Sequence, residues 1–241
     1  MTAAAALVLI VTGTYLYGAN HSVASTVALD VNPSIELGVN KKEQVVLVTP
    51  KNEDGVKVIG DMKLKGSDLK VAVNAIIGSM LREGYISELA NSILISVDSD
   101  DPIKGAEMQS RLSAEVKDML DTGSFKGAVL SQTISDDPDT KRLAEQYGIT
   151  EGKAQLIKQI TENNAAHTFD ELAGLSVNEL NLIGESGSKS ITNVTAEGSV
   201  SDRAYIGEAN AKAIALAHAG LDSGSITEYE CKLDREDGRM V

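Results

Sequence analysis

Residues 25–39 read STVALDVNPSIELGV, and this stretch decides the fold. Two runs rich in apolar and β-branched residues, Ser25–Val31 and Ser34–Val39, flank the dipeptide Asn32-Pro33. Short runs of this kind, bounded by Asn, Pro and Gly, are typical of neighbouring β-strands. The stretch therefore predicts a strand-rich unit with the Asn-Pro bond between its first two strands.

The residues that follow extend this unit. A third strand is predicted at Gln44–Pro50, and a short fourth one at Val56–Ile59, after the turn Asn52–Gly55. Apolar residues recur at helical spacing over Leu69–Leu81, and the strand pattern returns at Ser92–Val97. The sequence thus predicts a strand-rich subdomain with a packed helix over residues 20–101.

Helical patterns dominate the next part of the chain, residues 102–184. One strand is predicted there, at Ala128–Ile134. The predicted helices are Ile103–Leu120, Asp139–Tyr147, Glu151–Asn163, Phe169–Ala173 and Ser176–Ile183. We therefore expect a mainly helical subdomain behind the strand-rich one, and an α+β fold overall.

The C-terminal residues divide into a linker and a small unit. Residues 185–201 are rich in Gly, Ser and Thr and have no periodicity, which predicts a linker. Residues 202–241 predict a partial helix-plus-hairpin unit. Its helix is expected at Ile206–Ala219, its first strand at Ser225–Leu233 and its turn at Asp234–Gly238, with the second strand beginning at Arg239.

Charge and composition exclude several classes of function. The 241 residues include 35 acidic and 22 basic ones, for a net charge of −13, and such an excess of acid argues against a nucleic-acid partner. The lone Cys231 excludes an internal disulfide and a cysteine-based metal cage. The three histidines lie far apart in the sequence, so we expect neither a metal site nor a cofactor.

The first charged residue is Asp30, and the segment Thr2–Ala19 is apolar and uncharged. Its length is close to the ~20 residues that cross a bilayer, and Tyr15 and Tyr17 lie at one end, as interfacial aromatic residues do. A signal peptide would need a positive n-region, and this segment has none. A core helix of a globular protein would be expected to have a polar face, and no face of this segment is polar. We predict a single-pass membrane anchor at residues 1–19 that has lost a cytoplasmic part, with the bulk of the chain extracytoplasmic.

The Asn32-Pro33 bond is a candidate for self-cleavage. Proline has no backbone N–H, so the usual attack of the next backbone nitrogen on the Asn side chain is closed. The remaining route is attack of the Asn32 side-chain nitrogen on its own main-chain carbonyl, which expels the Pro33 nitrogen. A neighbouring base would help, and Asp30 and Glu36 are the candidates, since Asp30 and Asn32 would share a face in an unbroken strand.

A longer motif is more specific than the dipeptide. Leu29–Asn40, together with Asn52-Glu53-Asp54-Gly55 and Gly84-Tyr85-Ile86, resembles the membrane-anchored anti-sigma factors of the RsgI type, over roughly residues 2–183. The resemblance implies a cytoplasmic sigma-binding domain, one membrane helix and an external domain that cleaves itself at an Asn-Pro bond, here Asn32-Pro33.

The resemblance also implies partners. The sigma factor would bind only through the cytoplasmic domain, which has no match in this sequence. Intramembrane and envelope proteases would act after self-cleavage, and the membrane would hold the N-terminal helix. The C-terminal residues Glu208–Val241 resemble the first two-thirds of a PepSY module, a helix packed on a hairpin.

Two other functions stay open at this point. The chain could be an anchored envelope protein whose PepSY unit binds or restrains a protease, with an inert Asn-Pro bond. It could also be a conventional enzyme that acts on other molecules, but no cluster of His, Cys or Ser residues supports that reading.

Overall fold

The computed structural model describes residues 22–121, 126–186, 191, 193–199, 207–222, 235–236 and 239–240. The predicted membrane anchor at residues 1–19 and the predicted strand Ser225–Leu233 lie outside the described residues. Within the described ranges, no helix is long and apolar enough to span a membrane.

A six-stranded sheet organises the fold, with the strand order β3-β2-β1-β4-β5-β6. The strands are β1 (Ser25–Asp30), β2 (Ser34–Val39), β3 (Val45–Pro50), β4 (Ser92–Ser99), β5 (Ala128–Thr133) and β6 (Thr195–Glu197). All neighbouring strands are antiparallel except β4 and β5, which are parallel. The strand before Asn32-Pro33 is thus hydrogen-bonded on both sides, to β2 and to β4.

Helices cover both faces of this sheet, which confirms the predicted α+β class. The helices of the described residues are α1 (Glu53–Ile59), α2 (Leu69–Arg82), α3 (Pro102–Asp121), α4 (Pro138–Tyr147), α5 (Glu151–Asn163), α6 (Phe169–Ala173), α7 (Val177–Ser186) and α8 (Gly207–Ala219), and the first seven form the two layers. Helices α1–α3, the first helix layer, share a core with the face that carries Leu29 and Ile95. Helices α4–α7, the second helix layer, share a core with the opposite face, which carries Leu94 and Leu130.

The segment Val56–Ile59 is helical, so the strand predicted there is wrong. The Asn52 side chain caps the helix by accepting a hydrogen bond from the Gly55 N–H, and Glu53 and Asp54 lie in the first turn, near the positive end of the helix dipole. These polar residues before the apolar run set the start of the helix. The stabilisation that they give to the helix outweighs the strand-like pattern of the four residues Val56–Ile59.

The residues predicted as a linker contribute strand β6. It pairs antiparallel with β5, with Val129 opposite Glu197 and Ser131 opposite Thr195. Because an edge strand offers free backbone donors and acceptors, even a segment without apolar periodicity can pair with it. Strands β4 and β5 are paired neighbours in this sheet, although the predicted boundary between the two subdomains, at residues 101 and 102, lies between them in the chain.

The described part of residues 202–241 contains helix α8 and a short antiparallel ladder. Strands β7 (Arg235–Glu236) and β8 (Arg239–Met240) pair with Glu236 opposite Arg239. Because Arg235 and Glu236 belong to a strand, the predicted five-residue turn at 234–238 is too long. The sequence itself offers a shorter turn signal, since Asp-Gly, here Asp237-Gly238, is typical of two-residue hairpin connections. The likeness to a PepSY module stays a prediction.

Candidate self-cleavage site

The Asn32-Pro33 bond lies in the connection between two paired strands. The register of β1 and β2 ends with Asp30 opposite Ser34, so the three residues between them close the hairpin. The Val31 N–H donates to the Pro33 carbonyl over 3.0 Å. The Asn32 side chain is exposed, whereas Val31 and Pro33 are buried. The buried residues on both sides thus hold the bond, and the exposed Asn32 amide meets a residue outside the hairpin.

Asn52 holds the carbonyl of this bond. Its Nδ2 donates to the Asn32 main-chain oxygen over 2.6 Å. Its Oδ1 accepts from the Ser34 N–H at 3.2 Å and from the Gly55 N–H at 2.8 Å, so the side chain is fixed at its other end. A donor on this oxygen polarises the carbonyl and stabilises the negative charge that forms when the carbon is attacked.

Asp54 holds the amide of Asn32. The Asn32 Nδ2 donates to Asp54 Oδ2 over 3.3 Å. The other carboxylate oxygen of Asp54, Oδ1, accepts from the Lys57 Nζ at 2.9 Å and from the Tyr85 hydroxyl at 2.8 Å. The hydrogen bonds from Lys57 and Tyr85 hold the pKa of Asp54 below its usual value. The residue is therefore an ionised carboxylate at neutral pH, next to the one side chain that can act as the nucleophile.

Gly55 lets the loop that carries these groups approach β2 closely. A Cβ atom at this position would lie 2.7 Å from the Ser34 carbonyl oxygen and 3.3 Å from Ile35 Cγ1. A backbone hydrogen bond from Lys51 to the same carbonyl, at 2.9 Å, keeps the end of β3 in place. Only glycine allows helix α1 to begin here with Asn52 and Asp54 at their observed distances.

The structure places the predicted helper Asp30 away from the Asn32 amide. Asp30 is fully buried, and its Oδ2 accepts from the Thr150 hydroxyl over 2.6 Å. Burial raises the pKa of Asp30 to about 6, and the hydroxyls of Ser34 and Thr150 and the charge of Lys153 oppose this rise, while the Glu36 charge adds to it. The side chain thus belongs to a buried polar cluster against the second helix layer.

The second predicted helper, Glu36, forms an ion pair with Lys51 at 2.9 Å. It lies opposite Ala28 in the β1–β2 ladder and so on the same face of the sheet as Asp30. Among the described residues, no hydrogen bond joins the Asn32 side chain to Asp30 or Glu36. The helper roles of these two carboxylates stay predictions.

The sequence reasoning about the bond itself did not assign roles to Asn52, Asp54 and Tyr85. The signal was present, because Asn52-Glu53-Asp54-Gly55 and Gly84-Tyr85-Ile86 are the segments on which the family resemblance also depends. No spacing rule brings residues 20 to 53 positions away to Asn32, so only the fold could show these contacts. In the described part of the chain, no group of three or more His, Cys, Asp or Glu side chains could hold a metal ion.

Comparison with known proteins points to one family. A family model for the anti-sigma factor RsgI-like central domain matches residues 24–159. Similar relatives are anti-sigma-I factor RsgI9 of Acetivibrio thermocellus, 27% identical over 73% of this chain and 26% of the relative, and anti-sigma-I factor RsgI of Bacillus subtilis, 27% identical over 55% of this chain and 34% of the relative.

A third relative, anti-sigma-I factor RsgI7 of Acetivibrio thermocellus, is 25% identical over 75% of this chain and 33% of its own length. The chain thus spans about a quarter to a third of the length of these relatives. The matched region covers more than half of the 241 residues and contains Asn32, Pro33, Asn52 and Asp54. This chain therefore belongs to the RsgI-like anti-sigma factor family.

Proposed function

We propose that this chain is the extracytoplasmic part of a membrane-bound anti-sigma factor that cleaves its own backbone between Asn32 and Pro33. The names of the relatives, all anti-sigma-I factors, support the regulatory role. The observation that carries the cleavage is the pair of contacts on Asn32, with Asn52 on its carbonyl oxygen and Asp54 on its side-chain amide.

The chemistry needs one nucleophile and one net proton transfer. Asn32 Nδ2 attacks the Asn32 carbonyl carbon, a C–N bond forms within the residue, and the bond from that carbon to the Pro33 nitrogen breaks. Asp54 accepts one proton from Nδ2, and the Pro33 nitrogen gains one proton as it leaves. The products are a C-terminal succinimide and an N-terminal proline, so no water is consumed until the succinimide opens.

Positioning supplies most of the rate in this proposal. An amide nitrogen is a poor nucleophile, and oriented groups can lower a barrier by ~7–11 kcal/mol relative to free ones. Asn52 adds a donor aimed at the oxygen on which charge develops, the kind of contact whose removal costs about 100- to 1,000-fold in rate. Asp54 is charged at neutral pH and accepts a hydrogen bond from the amide that must lose a proton.

Cleavage would prepare the chain for signalling without separating its pieces. After the cut, β1 remains paired with β2 on one side and β4 on the other. An external signal that extracts this strand would leave a short membrane-proximal stub for intramembrane proteolysis. The sigma factor, bound by a cytoplasmic domain on the other side of the predicted single-pass anchor, would then be released.

Intact mass spectrometry of the purified chain tests the cleavage. We expect one fragment that ends at Asn32 and one that begins at Pro33, and the first should initially be lighter by one water than its hydrolysed form. Asn32→Ala should abolish both fragments. Protein that never shows a fragment ending at Asn32 would refute the proposal, and fragments ending at Asp101 or Asp137 instead would indicate acid hydrolysis of Asp-Pro bonds.

A further inference from the structure

Two contacts from the second helix layer reach the last two residues before Asn32. The Thr150 hydroxyl donates to Asp30 Oδ2 over 2.6 Å, with both residues buried, and the Val177 N–H donates to the Val31 carbonyl over 2.7 Å. Thr150 is the residue that caps the start of α5, and Val177 is the first residue of α7. The starts of two helices thus converge on the end of β1.

The groups around this contact are polar, although they are buried. Lys153 of α5 is only 3% exposed, and burial lowers its pKa while the charges of Asp30 and Glu179 act in the opposite direction. Thr150 also accepts from the Lys153 N–H over 3.0 Å, so its hydroxyl serves the helix cap and Asp30 together. Removing β1 would expose or leave unpaired polar groups that are matched to it, which is costly for buried donors and acceptors.

These contacts differ in kind from the sheet ladder. Backbone pairing with β2 and β4 depends little on side-chain identity and continues along the whole strand. The contacts from Thr150 and Val177 act only on the terminal residues, next to the bond proposed to break. They would hold the new chain end that cleavage creates.

We propose that the starts of α5 and α7 form a binding surface for the N-terminal fragment after cleavage, and that this surface sets how fast the fragment leaves. The inference rests on the proposed self-cleavage. It adds that the second helix layer, which lies beyond Pro33 in the chain, must part from Asp30 and Val31 before β1 can be extracted. A signal that reaches the C-terminal fragment would act by moving this layer.

Release of the fragment from the cleaved full chain, kept in mild detergent, measures this role. A fluorophore at the N-terminus reports dissociation during size exclusion or dilution. Thr150→Val removes the hydroxyl and keeps the side-chain shape, and loss of a partner from a buried charged group predicts release about 10- to 100-fold faster. Thr150→Ser, which keeps the hydroxyl, should release at the wild-type rate.

A matched control separates the surface from helix capping. Thr168 caps α6 in the same way and accepts from the Glu171 N–H, and it has no role in holding β1 in this proposal. Thr168→Val should leave the release rate unchanged. If Thr168→Val and Thr150→Val speed release equally, the effect is general destabilisation and the proposal is wrong.

A backbone variant tests the second contact independently. Val177→Pro removes the N–H at the first position of a helix, where proline is tolerated, and also replaces the buried valine side chain. Val177→Ala keeps the N–H while it trims that side chain, so it controls for the loss of packing. Faster release from Val177→Pro than from Val177→Ala supports the binding surface. Equal rates for Val177→Pro and Val177→Ala would overturn it, whether or not they differ from the wild-type rate.

The two proposals can fail separately. Mass spectrometry of each variant reports cleavage, independently of the release rate. If the wild-type bond does not break, the full chain can be produced as two co-expressed pieces, residues 1–32 and 33–241, and the same release rates can be measured. Unchanged release from the Thr150 and Val177 variants of that two-piece chain would overturn the binding surface whatever happens at Asn32.

Discussion

Replacing Gly55 by alanine should slow self-cleavage without removing any polar group from the site. The new Cβ would lie 2.7 Å from the Ser34 carbonyl oxygen, whereas ordinary contacts begin near 3.4 Å. The oxygen belongs to the backbone of β2 and cannot turn away, so the start of α1 must shift by roughly 0.7 Å. Asn52 and Asp54 lie next to this position and would move with it.

The size of the effect follows from the role of positioning. A displacement near 1 Å can cost about 100-fold in rate, so we expect cleavage of Gly55→Ala to be about 10- to 100-fold slower. That loss corresponds to about 1.4–2.7 kcal/mol in the activation barrier. Crowding of the core should also lower the free energy of unfolding by about 1–3 kcal/mol. Freshly synthesised chain, sampled over time by intact mass, gives the rate, and thermal unfolding gives the stability.

Gly78→Ala provides the matched control. Gly78 lies within α2, and no heavy atom outside its own helix lies within 4 Å of a Cβ placed there. The substitution should raise the free energy of unfolding by about 0.5–1 kcal/mol through helix propensity and leave the cleavage rate unchanged. If folded Gly55→Ala cleaves as fast as the Gly78 variant, then the placement of Asn52 and Asp54 does not control the reaction.

Three further outcomes are expected. Asp54→Asn should slow cleavage about 100- to 10,000-fold, since it removes the base, whereas Glu53→Gln on the exposed neighbour should not; time-resolved intact mass compares them. Release of the cleaved fragment should be about tenfold slower at about pH 5 than at about pH 7.5. The pKa of buried Asp30, about 6, lies above its ordinary value of 3.8, so the bound fragment holds its proton more tightly than the free one, and retention weakens as the pH rises. Asp30→Asn should remove this pH dependence. A side chain in Gly152→Ala would overlap Ser96 on β4, which should lower the free energy of unfolding by about 1–3 kcal/mol in denaturant titrations.

The sequence predicted the strands around Asn32 well, because their alternation is regular from Ser25 to Val39. It failed where short patterns compete. The residues Val56–Ile59 alternate like a strand, but the cap at Asn52 starts a helix there, and this helix is what brings Asp54 to Asn32. A prediction of local structure that misses α1 also misses the residue that we propose as the base.

The placement of Asp30 shows a second limit of sequence reasoning. Period-two alternation puts Asp30 and Asn32 on one face only while the strand continues, and β1 ends at Asp30. The turn then carries the Asn32 amide towards Asp54, and Asp30 meets Thr150, which is 120 residues away in the chain. Contacts at this separation depend on how the second helix layer docks, which no local spacing encodes.

The two aspartates near the cleavage bond have opposite electrostatic environments, and this difference separates two tasks. Asp54 is partly exposed and paired with Lys57 and Tyr85, which lowers its pKa and keeps it in the ionised form that can accept a proton. Asp30 is buried against Thr150, its pKa is raised, and it faces the second helix layer. In our proposals, the first helix layer therefore controls whether the bond breaks, and the second controls whether the cleaved strand leaves. Because the two aspartates share no partner among these contacts, one task can change while the other is kept.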